Sequence, residues 1–249
     1  MAIYEKPVKL LFKDMIYELG IKKGDTIKRD QVFAWFKQKY PRIKPGTISA
    51  HFLKMSVNAP SRIHYNVNSS GEDDLLFQID AHKFRLYNRL SDPEPIYEKQ
   101  QEENDIGTTG TLGEPLEASE FAYEKDLQNF LSRNLDHIET GLRLYEEEDI
   151  TGVEFPVGSR CIDILALDKD NNYIVIELKV SRGYDRVVGQ LLRYIAWIRK
   201  NHADAGQHVR GIIIARRISE DLLLACSEVP DITLYEYQLS VSLKRINEK

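Results

Sequence analysis

Two acids and a lysine in the second half of the chain have the types and spacing for phosphodiester chemistry. In CIDILALDKDNNYIVIELKV, two β-rich runs are joined by Lys169-Asp170-Asn171-Asn172, a turn by composition. Strand alternation in the second run sends Ile174, Ile176, Leu178 and Val180 one way, and Val175, Glu177 and Lys179 the other. A carboxylate and a lysine therefore share one face of an otherwise apolar strand, and a tight hairpin brings Asp163 of the preceding strand alongside. Hard Mg²⁺ takes carboxylate oxygens and keeps several waters, one of which can attack a phosphodiester. The lysine can orient or polarise that water and offset charge developing on the phosphate. Two carboxylates left unpaired in an apolar sheet are costly, so a metal or a cationic partner must compensate them. A structural Asp–Lys–Glu network at a sheet end is the competing reading, and for an isolated Glu-x-Lys it is the better one.

The elements around these residues are legible from periodicity. YEKDLQNFLSRNL places Leu127, Phe130 and Leu131 on one helical face with Glu124 near its start, and GQLLRYIAWI puts Gln190 and Tyr194 four residues apart on one face. Leu191, Ile195 and Ile198 form the apolar stripe that packs this second helix on the sheet. VRGIIIARR and ITLYEY read as further strands with SEDLLLACSEV as the helix between them. That order gives an α/β domain, a mixed sheet flanked by helices. Arg182 and Arg186, just past the acidic strand, are candidate phosphate contacts or solvated surface residues.

These motifs resemble the D…(D/E)xK signature of the PD-(D/E)XK nuclease superfamily, with Asp163, Glu177 and Lys179 in its three positions. Gln190 and Tyr194 are similar to the QxxxY helix motif of its RecB-like branch. Residues 120–200 resemble the NucS/EndoMS-type C-terminal nuclease domain, in which an acid near the start of the first helix completes the site; Glu124 matches it. The resemblance implies a restriction-endonuclease-like fold, Mg²⁺ with Mn²⁺ as substitute, Asp163, Glu177 and Glu124 as metal ligands, Lys179 and Gln190 as further catalytic residues, and Tyr194 in support. It does not extend to the front of the chain, so mismatch specificity does not transfer.

The front differs in charge. Residues 1–93 carry 16 basic and 10 acidic side chains, residues 94–119 carry 1 and 7, and residues 120–249 carry 17 and 22. A basic front joined by an acidic tether to an acidic back suggests a polyanion-binding module attached to a carboxylate-using one. The tether, rich in Pro, Gly and acids, reads as a linker. Three helices, starting after Pro7, near Asp30 as N-cap and at Pro45-Gly46, precede IHYNV and a hairpin of LLFQI and KFRLYN. This is the order of a winged helix-turn-helix, whose third helix enters the major groove. Lys44, Lys54, Arg62, Lys83 and Arg85 are expected to neutralise phosphates, and Thr47 and His51 to reach base edges. Trp35, between Phe33 and Phe36, is expected in the core.

No apolar run approaches the ~20 residues that span a bilayer, and Cys161 and Cys226 are too few for a disulfide framework, so a cytoplasmic setting is expected. The combined reading is a Mg²⁺-dependent endonuclease acting on double-stranded DNA, of restriction or host-defence type and possibly modification-dependent, with two copies cutting the two strands. The alternatives are a repair or junction nuclease, and a non-catalytic DNA-binding protein with a degenerate nuclease domain.

Overall fold

The computed structural model describes residues 4–65, 67–97, 117–148, 150–158, 160–179 and 185–238. In the front domain, α1 (Val8–Glu18), α2 (Arg29–Lys39) and α3 (Pro45–Lys54) surround a core that includes Phe12, Phe36 and Phe52, all fully buried. Strand β1 (Ile27–Lys28) pairs antiparallel with β3 (Lys83–Leu86), which pairs antiparallel with β2 (Leu76–Gln78), giving the order β1-β3-β2. Asp30 falls in the first turn of α2 rather than at its cap, which is Lys28. Trp35 is 6% exposed, and its indole N–H donates to Glu18 Oε2 at 3.1 Å, so it belongs to the core as expected. Ile63 and His64, which open IHYNV, lie in a 3-10 turn over Pro60–His64, where Pro60 at the first position supplies the helical φ. The tether is shorter than its composition suggests: the Ile96 N–H donates to Val57 O at 2.9 Å and the Tyr97 hydroxyl donates to Asp74, so residues 94–97 pack on the front domain.

The back domain opens with α4 (Glu117–Arg133). Two strands, β4 (Arg143–Leu144) and β7 (Val153–Val157), pair antiparallel with β8 (Arg160–Leu167), and a small ribbon of β5 (Glu146–Glu147) and β6 (Ile150–Thr151) lies between them in sequence. Strand β9 (Tyr173–Lys179) is antiparallel to β8 and parallel to β10 (Val209–Ala215), which is parallel to β11 (Ile232–Glu236). The sheet is therefore mixed, as expected. The turn between β8 and β9 is tight because Asp168 Oδ1 accepts the N–H groups of Asp170 and Asn172, with Asn171 left-handed at φ 63°. Helix α5 (Asp185–Asn201) and helix α6 (Glu220–Ser227) cover one face of the sheet, where Leu191, Ile195, Ile198 and Leu222 meet Val175 and Ile213. Leu127 and Leu131 of α4 meet Ile174, Ile176 and Ile212 on the other. No helix among the described residues is long and apolar enough to cross a membrane.

The two domains share a core. Ala50 of α3 and Tyr65 join the cluster of Tyr145, Phe155 and Tyr173 from the back domain. Gly46 lies directly against His202, and a Cβ there would fall 1.8 Å from its Nε2, so only glycine permits this approach. Polar contacts reinforce the seam. The Thr47 hydroxyl donates to Glu147 Oε2 at 2.7 Å, His51 Nε2 lies 3.2 Å from Glu148 Oε2, and the Val8 N–H donates to both Glu148 carboxylate oxygens.

Candidate nuclease centre

The site forms where the sheet comes apart. Strands β8 and β9 pair from Leu167↔Tyr173 to Ile164↔Ile176, and continuing the register by one residue would set Asp163 directly opposite Glu177. Like charges facing each other across a ladder repel, and the pairing stops there. The Leu178 N–H donates to Asp163 Oδ2 at 2.7 Å, so a side chain takes the place of a strand partner. Asp163 is half-buried, whereas Glu177 is 1% exposed on the central strand.

Glu177 Oε1 accepts from Gln190 Nε2 at 2.6 Å and lies 3.1 Å from Lys179 Nζ. Gln190 Nε2 also lies 3.1 Å from the Tyr194 hydroxyl. Glu177 Oε2 is buried with no hydrogen-bond partner. Burial, and then the charge of Asp163, pushes the Glu177 carboxyl up to about 8. Burial likewise raises Asp163 to about 6 against the lowering effect of the Leu178 N–H. Burial alone would lower Lys179, but Glu177, Asp163 and Glu124 outweigh it and its pKa rises, so the lysine stays cationic. Burial pushes Tyr194 up to about 12, keeping it a neutral phenol. One ammonium thus faces two carboxylates that desolvation makes reluctant to ionise, with one buried oxygen unsatisfied. That imbalance fits an added cation. Oxygen donors of this kind suit a hard divalent ion, although no group of three or more acid, histidine or cysteine side chains forms a complete cage among the described residues.

Glu124 is half-buried and lines a small pocket of about 80 Å³ with Asp163, Lys125, Gln128 and Glu154. Three of these neighbours were not foreseen. Gln128 Nε2 donates to the Asp163 carbonyl at 2.8 Å, Lys125 Nζ donates to Glu154 Oε1 at 2.5 Å, and His64 Nδ1 of the front domain lies 3.2 Å from Glu154 Oε2. Gln128 was findable, since it stands four residues from Glu124 on one helix face. Glu154 was not: it sits in β7 with a left-handed backbone, φ 49°, which no strand pattern signals.

The residues expected to meet DNA fare differently. Thr47, His51 and Arg62 are fully buried and Lys54 is 2% exposed, which corrects their assignment as groove or phosphate contacts. Thr47 and His51 turn toward Glu147 and Glu148 of the back domain, Lys54 lies 3.7 Å from Asp73, and Arg62 pairs with Asp74 while its Nε donates to Lys54 O. Lys44 pairs with Asp204 across the seam. Arg85 is bound by both oxygens of Asp92 at 2.6 and 2.7 Å and stacks 4.2 Å from the Phe77 ring centroid, which removes it as a free phosphate contact. That pairing, more than any other influence, lowers Asp92 to about 2. Lys83 and Arg186 are exposed; Arg182 lies outside the described residues.

Residues 123–229 match the family model described as the Endonuclease NucS C-terminal domain, and residues 7–86 match a domain of unknown function, DUF7669. The chain is similar to Endonuclease NucS of Sulfolobus acidocaldarius, 35% identical over 100 residues that cover 40% of this chain and 36% of that protein. It is similar to Endonuclease NucS of Pyrococcus abyssi at 31% identity over 98 residues, covering 39% and 35%. The matched region spans little more than a third of the length of these curated relatives. A solved structure, a repair endonuclease from Pyrococcus abyssi, aligns over 52% of this chain and 50% of that one at 24% identity with a TM-score of 0.39. The region that matches the Endonuclease NucS C-terminal domain model is the one that carries the mixed sheet and the Asp163–Glu177–Lys179 cluster, and the front domain matches a different model.

Proposed function

We propose that this chain is a divalent-metal-dependent endonuclease that hydrolyses phosphodiester bonds in double-stranded DNA. The observation that carries the reading is the buried imbalance at the open end of β8 and β9: Asp163 and Glu177 one step past the last paired residues, Lys179 and Gln190 on Glu177, and one Glu177 oxygen unsatisfied. Asp163 and Glu177 would hold Mg²⁺ or Mn²⁺, with Glu124 beside them. When bound, such an ion makes water a usable nucleophile near neutral pH and offsets charge on the phosphate. Lys179 directs an N–H at the attacking water or a phosphate oxygen, where developing negative charge strengthens the contact. Gln190 fixes the Glu177 carboxylate, and Tyr194 fixes Gln190. The Leu178 N–H holds Asp163 in place.

The front domain, with a helix, a short strand, two helices and a hairpin in that order, supports a winged-helix reading in which the hairpin tip beside Lys83, not α3, faces the polyanion. Because the front domain matches a model outside the relatives' matched region, their whole-protein roles do not carry over, and the reading adopted is a target-selective enzyme of restriction or host-defence type. Because one such site cuts one strand, cutting both strands in one encounter calls for a symmetric pair of chains. The experiment is digestion of plasmids grown with and without each DNA methyltransferase, with Mg²⁺, Mn²⁺ or chelator. Cutting that requires the metal, disappears in Asp163→Ala and depends on methylation supports the reading. DNA binding without cutting under any metal would instead favour a non-catalytic DNA-binding protein, and light scattering with and without DNA decides the pairing.

A further inference from the structure

The junction between the domains is not filled. A cleft of about 750 Å³ lies between α2, α3 and the Pro60–His64 turn on one side and β7 and α5 on the other. That size is typical of a small-molecule site. Phe33, Tyr65 and Trp197 are in its walls, and Arg29 stands among them. The Arg29 guanidinium is half-buried, donates to Ser49 Oγ at 2.8 Å and lies 5.5 Å from the Phe33 ring centroid. Asp30, also in the cleft wall, and Tyr65 attract its charge without a direct hydrogen bond, and desolvation outweighs them and lowers its pKa. Tyr65 is only 6% exposed. A guanidinium whose desolvation outweighs the attraction of its neighbour Asp30, set among flat aromatic faces, matches a ligand that is both anionic and aromatic.

The cleft also adjoins the nuclease centre. Pro156 in its wall is two residues along β7 from Glu154, roughly 7 Å at strand spacing. His64, another wall residue, lies 3.2 Å from Glu154, and Glu154 shares the small pocket with Asp163. We propose that this cleft binds a nucleotide, its base against Phe33, Tyr65 and Trp197 and its phosphate on Arg29. That the nucleotide belongs to a bound DNA strand rests on the nuclease reading; occupancy by a free nucleotide does not.

Trp197 lines the cleft, whereas the chain's other tryptophan, Trp35, is in the front core, so quenching of tryptophan emission reports on the cleft. The full chain carrying Glu177→Gln is titrated with each of the four deoxynucleoside 5′-monophosphates and with the matching nucleosides. Saturable quenching is expected, with nucleotides about tenfold tighter than nucleosides, the size of a lost charge-assisted hydrogen bond. Arg29→Ala should erase that difference and Arg29→Lys restore part of it, while Phe33→Ala weakens both ligand sets; melting curves verify that each variant is folded. A second arm uses duplexes containing 2-aminopurine. A rise in emission on binding that is lost in Arg29→Ala and Phe33→Ala assigns the nucleotide to nucleic acid, and mononucleotide binding without that rise assigns it to a free nucleotide. No saturable quenching by any of these compounds, or binding indifferent to both substitutions, overturns the proposal. Intact nucleotide binding in a wild-type chain that cuts no DNA overturns the nuclease reading alone.

Discussion

Two polar clusters of this molecule receive opposite treatment from the fold. Along α3, Thr47, His51 and Lys54 are buried and each is matched by an acid: Glu147, Glu148 and Asp73. At the open end of β8 and β9, Asp163 and Glu177 are held together with a single ammonium, and burial drives both carboxyls above their ordinary range. In the first cluster each group has an acid beside it, and Thr47 and His51 with Glu147 and Glu148 form part of the seam between domains. The second is left unresolved at a place where the backbone ladder itself has parted. Buried charge without a matching partner is expensive, and on that imbalance the proposed metal site rests.

The largest expected effect breaks the second cluster. Asp163→Ala or Glu177→Ala should reduce single-turnover cleavage at least about a thousandfold while leaving duplex binding within a few-fold, and Lys179→Ala should lower the chemical step by about a hundredfold or more without weakening affinity. Gel-shift and rapid-quench measurements separate the two quantities; full cutting by either carboxylate variant would remove these residues from the chemistry.

Next in size is the acid response of the seam. His202 sits among Tyr145, Phe155, Tyr173 and Trp197, with both ring nitrogens buried and unpartnered among the described residues, and burial lowers its pKa to about 3. An unfolded histidine binds its proton near 6.5, so between about pH 6.5 and 3 the unfolded chain holds more protons and stability falls as pH drops. His202→Leu should flatten that part of the melting-temperature profile. An unchanged slope would show that the seam does not keep this imidazole neutral.

A smaller effect sharpens the contrast at α3. Thr47→Val removes the hydroxyl that serves Glu147 and should cost about 1–2 kcal/mol in urea unfolding, with no change in preference among DNA sequences. Altered sequence preference with unaltered stability would return α3 to the role of a reading helix. The smallest expected effect concerns Lys83, which is exposed and only 3.7 Å from Asp80. Lys83→Ala should weaken binding to all duplexes alike and reduce the salt slope by about one, and a slope that does not move would take the hairpin tip off the DNA-facing surface.

Local pattern was enough to bring together the residues of the candidate site in the back domain. Alternation in β9 put Glu177 and Lys179 on one face, the composition of the Lys169–Asn172 turn made the hairpin, and helical spacing joined Gln190 to Tyr194, because each signal spans only a few residues of one or two adjacent elements. The same reasoning failed on α3. A helix with an apolar stripe and a polar stripe reads as half exposed, and nothing local reveals that a second domain will supply Glu147, Glu148 and the His202 ring to cover the polar side. Tertiary structure also decided Glu154, whose left-handed backbone faces it toward Lys125 and His64, and the cleft around Arg29, which exists only between the domains. Periodicity reports which faces must be buried; what buries them depends on contacts between residues about a hundred positions apart, and those are set by the packing of whole domains.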